Sequence, residues 1–444
     1  MAVTTTTIWR IRPSGVNTNG GGYDPGIAGA ATDYSQQNAA QASGTHGHAV
    51  GTTTFTDLTA LAFTTAMVGN AIYITGDSLT TGFYFVVGFT SSSIITLDRT
   101  PGTSGASAAT WHLGGGWADF TNIASTGPIV GGNLVYVLGS GTPNPAAYTY
   151  DYTVAVGVTT AGSISFNVAN DPATPGYKSY PDTTGGMPVI KFTSSYVITF
   201  VGGGADFVQG LWFVGGSGVS AGSYAVIANS ESGWLQGCIL DQFGFDIGLY
   251  GTVAGPTIGI MGCEVFSSQG GSSGVNAAIY TTGVTGNFIT SLTVVGCNIH
   301  DTVGYGIYCS CSASFFSVNL TVLNSIIAKC GNSGVLVDNF NGSLIMGNTI
   351  DANLGDGITF GPNLGFWPGT IVMNNIISNH TAGGKYGINT AAGTGGNSGS
   401  KGLDYNVFYG NTTNISNSVP YGPHDTHGGA NPYVNQAIEN YTLA

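Results

Sequence analysis

The chain has 444 residues, and its 73 glycines occur at more than twice the roughly 7% frequency of ordinary proteins. Charged residues make up 7% against a usual figure of about 25%, beside 42% hydrophobic and 11% aromatic residues, which excludes a solvated, disordered chain. Only 8 Lys+Arg stand against 21 Asp+Glu, for a net charge of −13, so there is no basic stripe to hold a phosphate backbone and no nucleic acid is expected as a partner.

Gly, Thr, Ser, Asn, Val and Ile dominate while strong helix formers are scarce, so the core must be buried by strands and turns: an all-β protein. The opening residues lack the basic and apolar segments of a secretory signal, and no long apolar run is present, so neither secretion by that route nor membrane insertion is expected. Trp9 to Arg12 reads as a short strand and Asn17 to Asp24 as a turn. Asp33 to Gln41 is the best helix candidate, capped by Asp33 or Ser35. Short strands follow at Ala71–Ile74, Gly82–Val87 and Ser93–Asp98. Residues 1–120 thus read as a small N-terminal β-rich capping or docking module with one short helix, and Gly114 to Phe120 as its junction.

Beyond about residue 128 the chain repeats itself. Six hexapeptides align, beginning at Leu235, Ile260, Val294, Val322, Ile345 and Val372. Their first and sixth positions are aliphatic, the third is Gly or Asn, and the fourth runs Cys238, Cys263, Cys297, Ser325, Asn348, Asn375. That pattern describes an inward-facing strand, a residue able to adopt the left-handed conformation at a bend, and a second inward-facing strand. Further strands follow at Gly304–Tyr308, Gly334–Val337, Gly355–Phe360 and Gly387–Asn389. Unequal repeat lengths around one bend are what a stacked solenoid allows, because its loops vary while its coils must still stack. The expected fold is a parallel β-helix over 121–420, with 421–444 as tail or cap.

On these repeats the sequence resembles the right-handed parallel β-helix (pectate-lyase-like) superfamily. Handedness is implied by the resemblance and by the general crossover preference. The stretch from Trp9 through the strand module also resembles the openings of bacteriophage virion β-helix proteins. That resemblance implies a tailspike, fibre or capsid decoration protein localised to the virion, with other virion proteins and host surface glycan as partners and a homotrimer left open.

Cys238, Cys263, Cys297, Ser325, Asn348 and Asn375 are expected to form a structural ladder, with the thiols reduced and buried although coil spacing also permits a disulfide. Cys309, Cys311 and Cys330 lack the fourth ligand and paired spacing of a zinc site. His424 and His427 are the weak metal candidates, better read as a solvated loop, and no metal or cofactor is expected. Glycan cleavage needs two carboxyls about 5 to 10 Å apart, and Asp301, Asp351 and Asp356 recur near bends, where turn capping is the simpler reading. The catalytic elements of pectate lyases and polygalacturonases are missing. The expectation is a non-enzymatic virion structural protein presenting a rigid surface, with a polysaccharide-degrading depolymerase built on those aspartates as the alternative.

Overall fold

The computed structural model describes residues 4–30, 32–123, 128–138, 148–150, 154–156, 167–171, 187–192, 198–200, 205–215, 224–228, 232–241, 245–250, 257–267, 276–283, 291–311, 319–338, 342–361, 369–390, 402–416, 420–435 and 440–443. The chain divides into two compact units, one formed by Met1–Tyr148, Val154–Val189 and Gly202–Leu211, the other by Thr149–Thr153, Ile190–Val201 and Trp212–Ala444.

In the first unit, strands Ala42–Ala49, Thr54–Thr56, Ala71–Thr75, Gly82–Ser91, Ile94–Leu97 and Ala109–Leu113 close an antiparallel barrel. Alternation puts Ile72, Ile74, Tyr84, Val86, Trp111 and Leu113 inside, with Phe55 and Phe63 against the Trp111 ring. The Trp111 indole N–H donates to buried Asp57 at 2.8 Å, so the ring's one polar atom is satisfied.

Three sequence expectations are corrected here. The segment Asp33 to Gln41 forms only a 3-10 turn over Tyr34–Gln36, capped by Asp33, because its carbonyls are claimed from outside: Gly115 N–H donates to Tyr34 O and Gly116 N–H to Gln37 O. A continuing helix would need those same acceptors. Strand Ile8–Ile11 is not part of a separate N-terminal module; it pairs in parallel with Leu134–Val137, which pairs with Asn167–Asn170. The Gly114 to Phe120 segment is no free junction, since Trp117 N–H donates to Arg10 O and the Trp117 ring stacks on Trp9 at 4.8 Å.

From Trp212 onward the second unit is a parallel β-helix, with three strands per coil. One coil shows the pattern: Ser291–Val295 on the first sheet, Asn298–His300 on the second and Tyr305–Cys311 on the third. Coils stack in register, so equivalent residues form columns. Ile260, Val294, Val322, Ile345 and Val372 line the first sheet's inner face. Val265, Ile299, Ile327, Ile350 and Ile377 line the second, and Ile279, Ile307, Val335, Ile358 and Ile388 the third. All of these side chains are buried.

The bend between first and second sheets has positive φ at Gly237, Gly262, Gly296, Asn324, Gly347, Asn374 and also at Tyr405. The residue after each bend points inward, and here lie the six predicted ladder residues, continued by Asn406. Successive rungs are joined by backbone N–H donors: Ser325 to Asn348 Oδ1 at 2.9 Å, Asn348 to Asn375 Oδ1 at 3.0 Å, and Asn375 to Asn406 Oδ1 at 3.2 Å. Asp425 closes the column by accepting from Asn406 N–H at 2.8 Å. The tail expected at 421–444 is therefore partly integral to the coils, and Thr426–His427 extends the second sheet. Cys238, Cys263, Cys297, Cys309 and Cys330 are buried and form no disulfide among the described residues. The Cys311 side chain lies outside the described residues.

Candidate functional site

The outer face of the third sheet carries an aromatic ladder. Tyr280 and Tyr308 are in register on adjacent coils, and their rings stack at 5.5 Å and 20°. Tyr305 meets Tyr308 edge-on at 5.1 Å. The next residue in the column is Leu336, followed by Thr359, so the column steps down in size just beyond Tyr308. Beside that step lies a cavity of about 280 Å³, close to the lower end of ordinary ligand pockets at roughly 300 Å³.

The polar residues Asn276, Asn332, Asp338, Tyr305 and Tyr308 line the cavity. Part of its wall is bare backbone. A Cβ on Gly331 would lie 2.0 Å from Val303 O, and one on Gly304 1.9 Å from Asn276 O, so only glycine permits these coils to approach so closely. Burial raises the pKa of both Tyr305 and Tyr308, with the nearby charges of Asp356 and Asp338 adding to the effect, so each phenol remains a protonated donor at neutral pH. Apolar ring surface with a few oriented amides, hydroxyls and one carboxylate suits a hydroxyl-rich ring.

A charged cluster occupies the corner between the second and third sheets, four residues before Tyr305 in the chain. His300 stacks on Phe266, its register partner on the adjacent coil, at 5.3 Å and 3°. One ring nitrogen faces Glu264 at 3.2 Å and the other Asp301 at 2.8 Å. Burial opposes the imidazolium, but hydrogen bonds and charge from both carboxylates outweigh it and raise the His300 pKa. Asp241 is buried, and burial together with the Glu264 charge raises its carboxyl to about 6, against smaller opposing contributions from Ser267 and His300. Its Oδ1 has no hydrogen-bond partner among the described residues.

The three aspartates considered for catalysis have different surroundings. Asp301 is an exposed bend residue with φ 49°, paired to His300. Asp351 is buried and accepts from Ser378 Oγ at 2.6 Å and Asn379 Nδ2 at 2.8 Å. Asp356, also buried, accepts from Tyr386 N–H at 2.8 Å and Asn389 Nδ2 at 2.9 Å. The last two carboxylates are thus held as structural acceptors. His424 stacks on Tyr405 and bonds Asp404 at 2.8 Å, whereas His427 stacks on Tyr421, so the two rings are held against different partners. Among the described residues, no group of three or more His, Cys, Asp or Glu is placed to hold a metal ion.

Sequence reasoning missed Tyr280, Tyr305, Tyr308, Glu264 and His300. The one available signal was the recurrence of Tyr at the same offset in two adjacent coils, Tyr280 and Tyr308.

No family model and no curated relative matches the sequence. Several solved structures match at low identity. A point mutant of the periplasmic alginate epimerase AlgG is 10% identical, with 63% of this chain and 78% of that chain covered and a TM-score of 0.35. The pectate lyase Pel9A is 11% identical over 71% and 78%, with a TM-score of 0.30. The catalytic domain of a GH87 α-1,3-glucanase in complex with nigerose is 11% identical over 88% and 89%, with a TM-score of 0.27. Such distant likeness bears on neither substrate nor chemistry, and the fold rests on the strand pairing itself.

Proposed function

We propose that this chain is a glycan-binding β-helix, with the cavity beside Tyr308 as the seat of a sugar unit. The observation that carries this reading is the end of the aromatic ladder, where the Tyr308 ring lies against a cavity ringed by amides, hydroxyls and the Asp338 carboxylate. Sugars offer flat C–H faces to aromatic rings and hydroxyls to such groups, whereas nothing here resembles a phosphate or metal site. The finer setting we infer is an attachment protein of a bacteriophage virion, supported by the resemblance of the chain's opening and by its low charge. The test is electrophoretic retardation in gels containing dissolved polysaccharides: the wild type should be retarded by at least one polymer, and Tyr308→Ala should weaken that binding at least tenfold, about 1.4 kcal/mol.

A second reading, polysaccharide cleavage, is favoured by one observation: a carboxyl with a pKa raised to about 6, Asp241, lies near Glu264, and glycoside chemistry uses carboxyl pairs in different protonation states. Release of oligosaccharides by the wild type, lost in Glu264→Gln with glycan binding retained, would establish it.

A further inference from the structure

Resting on the glycan reading, the cavity's chemistry also specifies which glycans fit. We infer that the Tyr308 cavity selects uncharged, hydroxyl-rich glycans and rejects polyuronates. Among the described residues, none lining it is Lys or Arg, while Asp338 contributes a carboxylate held at 6% exposure. Burial is the main cause that keeps both phenols neutral; the Asp338 charge adds to it at Tyr308 and the Asp356 charge at Tyr305, against hydrogen bonds to Ser310 and Asn332. The remaining polar lining, Asn276 and Asn332, is neutral.

For an uncharged sugar this set is well matched. A carboxylate accepts from sugar hydroxyls, the amides both donate and accept, and the phenols donate. A uronate at the same place would bring a second carboxylate toward Asp338, and the described lining residues include no Lys or Arg to receive it. The uronate would also lose water, and repulsion between like charges is strongest where solvent is thin. Rejection is therefore built from a repulsive element as well as an attractive one. A chain of net charge −13 adds a longer-range term of the same sign.

The experiment compares polygalacturonate with the same polymer after reduction of its carboxyls to alcohols, so backbone linkage and length are held constant. The inference expects binding of the reduced polymer at least tenfold tighter than of the native one. It also expects binding of the reduced polymer to change little between ~0.05 and ~0.5 M salt, since no charge on the ligand is screened. In Asp338→Asn the preference for the reduced polymer should shrink at least threefold. Equal or tighter binding of native polygalacturonate would overturn the selectivity while leaving glycan binding in place, and an unchanged preference in Asp338→Asn would remove Asp338 as its source. Failure to bind this reduced polymer, or a panel of other neutral polysaccharides, would overturn the glycan reading itself. If Asp338→Asn does not fold, the wild-type comparison and its salt series decide the selectivity alone.

Discussion

The barrel of the first unit and the coils of the second bury apolar surface by opposite means. The barrel gathers large rings, Phe55, Phe63, Tyr84 and Trp111, into one core, with Phe55 and Phe63 both against Trp111. Each coil instead contributes one aliphatic residue per sheet, and stacking turns those residues into continuous columns such as Ile299, Ile327, Ile350 and Ile377. The difference teaches where a substitution should be felt: throughout a closed core in the barrel, but mainly by adjacent coils in the solenoid.

The largest effect is expected for Ile350→Asp, which places an unpaired charge in the interior column at a cost of several kcal/mol. Thermal melting should show collapse of the solenoid transition with the barrel's transition kept. Trp111→Ala should do the converse, losing about 3–5 kcal/mol from the barrel and leaving Asp57 without its indole donor. A single shared transition lost in both variants would break the comparison.

The corner cluster sharpens it through pH. Asp241 has a folded pKa above its unfolded value, so stability is full below the unfolded value near 3.8 and falls as pH rises through about 6. His300 is also raised in the folded state; its contribution is full below the unfolded value near 6.5 and is lost as pH rises through the folded value. Both shifts act in one direction, and the Asp241 share is about 2 kcal/mol after allowance for partial screening. Urea melts of the solenoid should show a decline from pH 4 to 8, shallower in Asp241→Asn. A smaller loss, about 1–3 kcal/mol, is expected for Asn375→Ala, which removes the acceptor of Asn348 N–H and the donor to Ile345 O.

The comparison also explains what could be read from the sequence. The hexapeptides exposed the solenoid because each bend demands the same chemistry: Gly or Asn at positive φ, then a small or amide side chain turned inward. Asp404 to Asn411 reads as a closing coil, but Tyr405 and Asn406 stay outside the hexapeptide alignment because Tyr is not a residue expected at positive φ, although the backbone there is the same. Asp425 was invisible as the ladder's cap, since it takes the role of a rung from a different strand position. The barrel offered no such repetition, and its strands were legible only where they alternate strongly. The cavity was the least legible, because Tyr308 joins Asn332, Leu336 and Asp338 from the adjacent coil, and no spacing within one coil reveals that neighbour.

The smallest effect belongs to His380. It occupies an asparagine-like rung at the other corner, its backbone N–H donating to Asn411 Oδ1 at 3.1 Å and its Nε2 facing Ile350 O at 3.3 Å. Burial lowers its pKa, so the ring is neutral there, and the neighbouring rungs Asn353 and Asn411 bond the equivalent carbonyls. His380→Asn should change the solenoid's melting by less than about 1 kcal/mol, within the range of a volume-tolerant swap.

The most direct test of the central claim is a crystal structure of the protein soaked with an uncharged oligosaccharide that it binds. A sugar ring should lie against the face of Tyr308, with its hydroxyls bonded to Asp338 and Asn332, and no such occupancy should appear in Tyr308→Ala. A sugar bound elsewhere on the molecule, with the Tyr308 cavity empty, would contradict it.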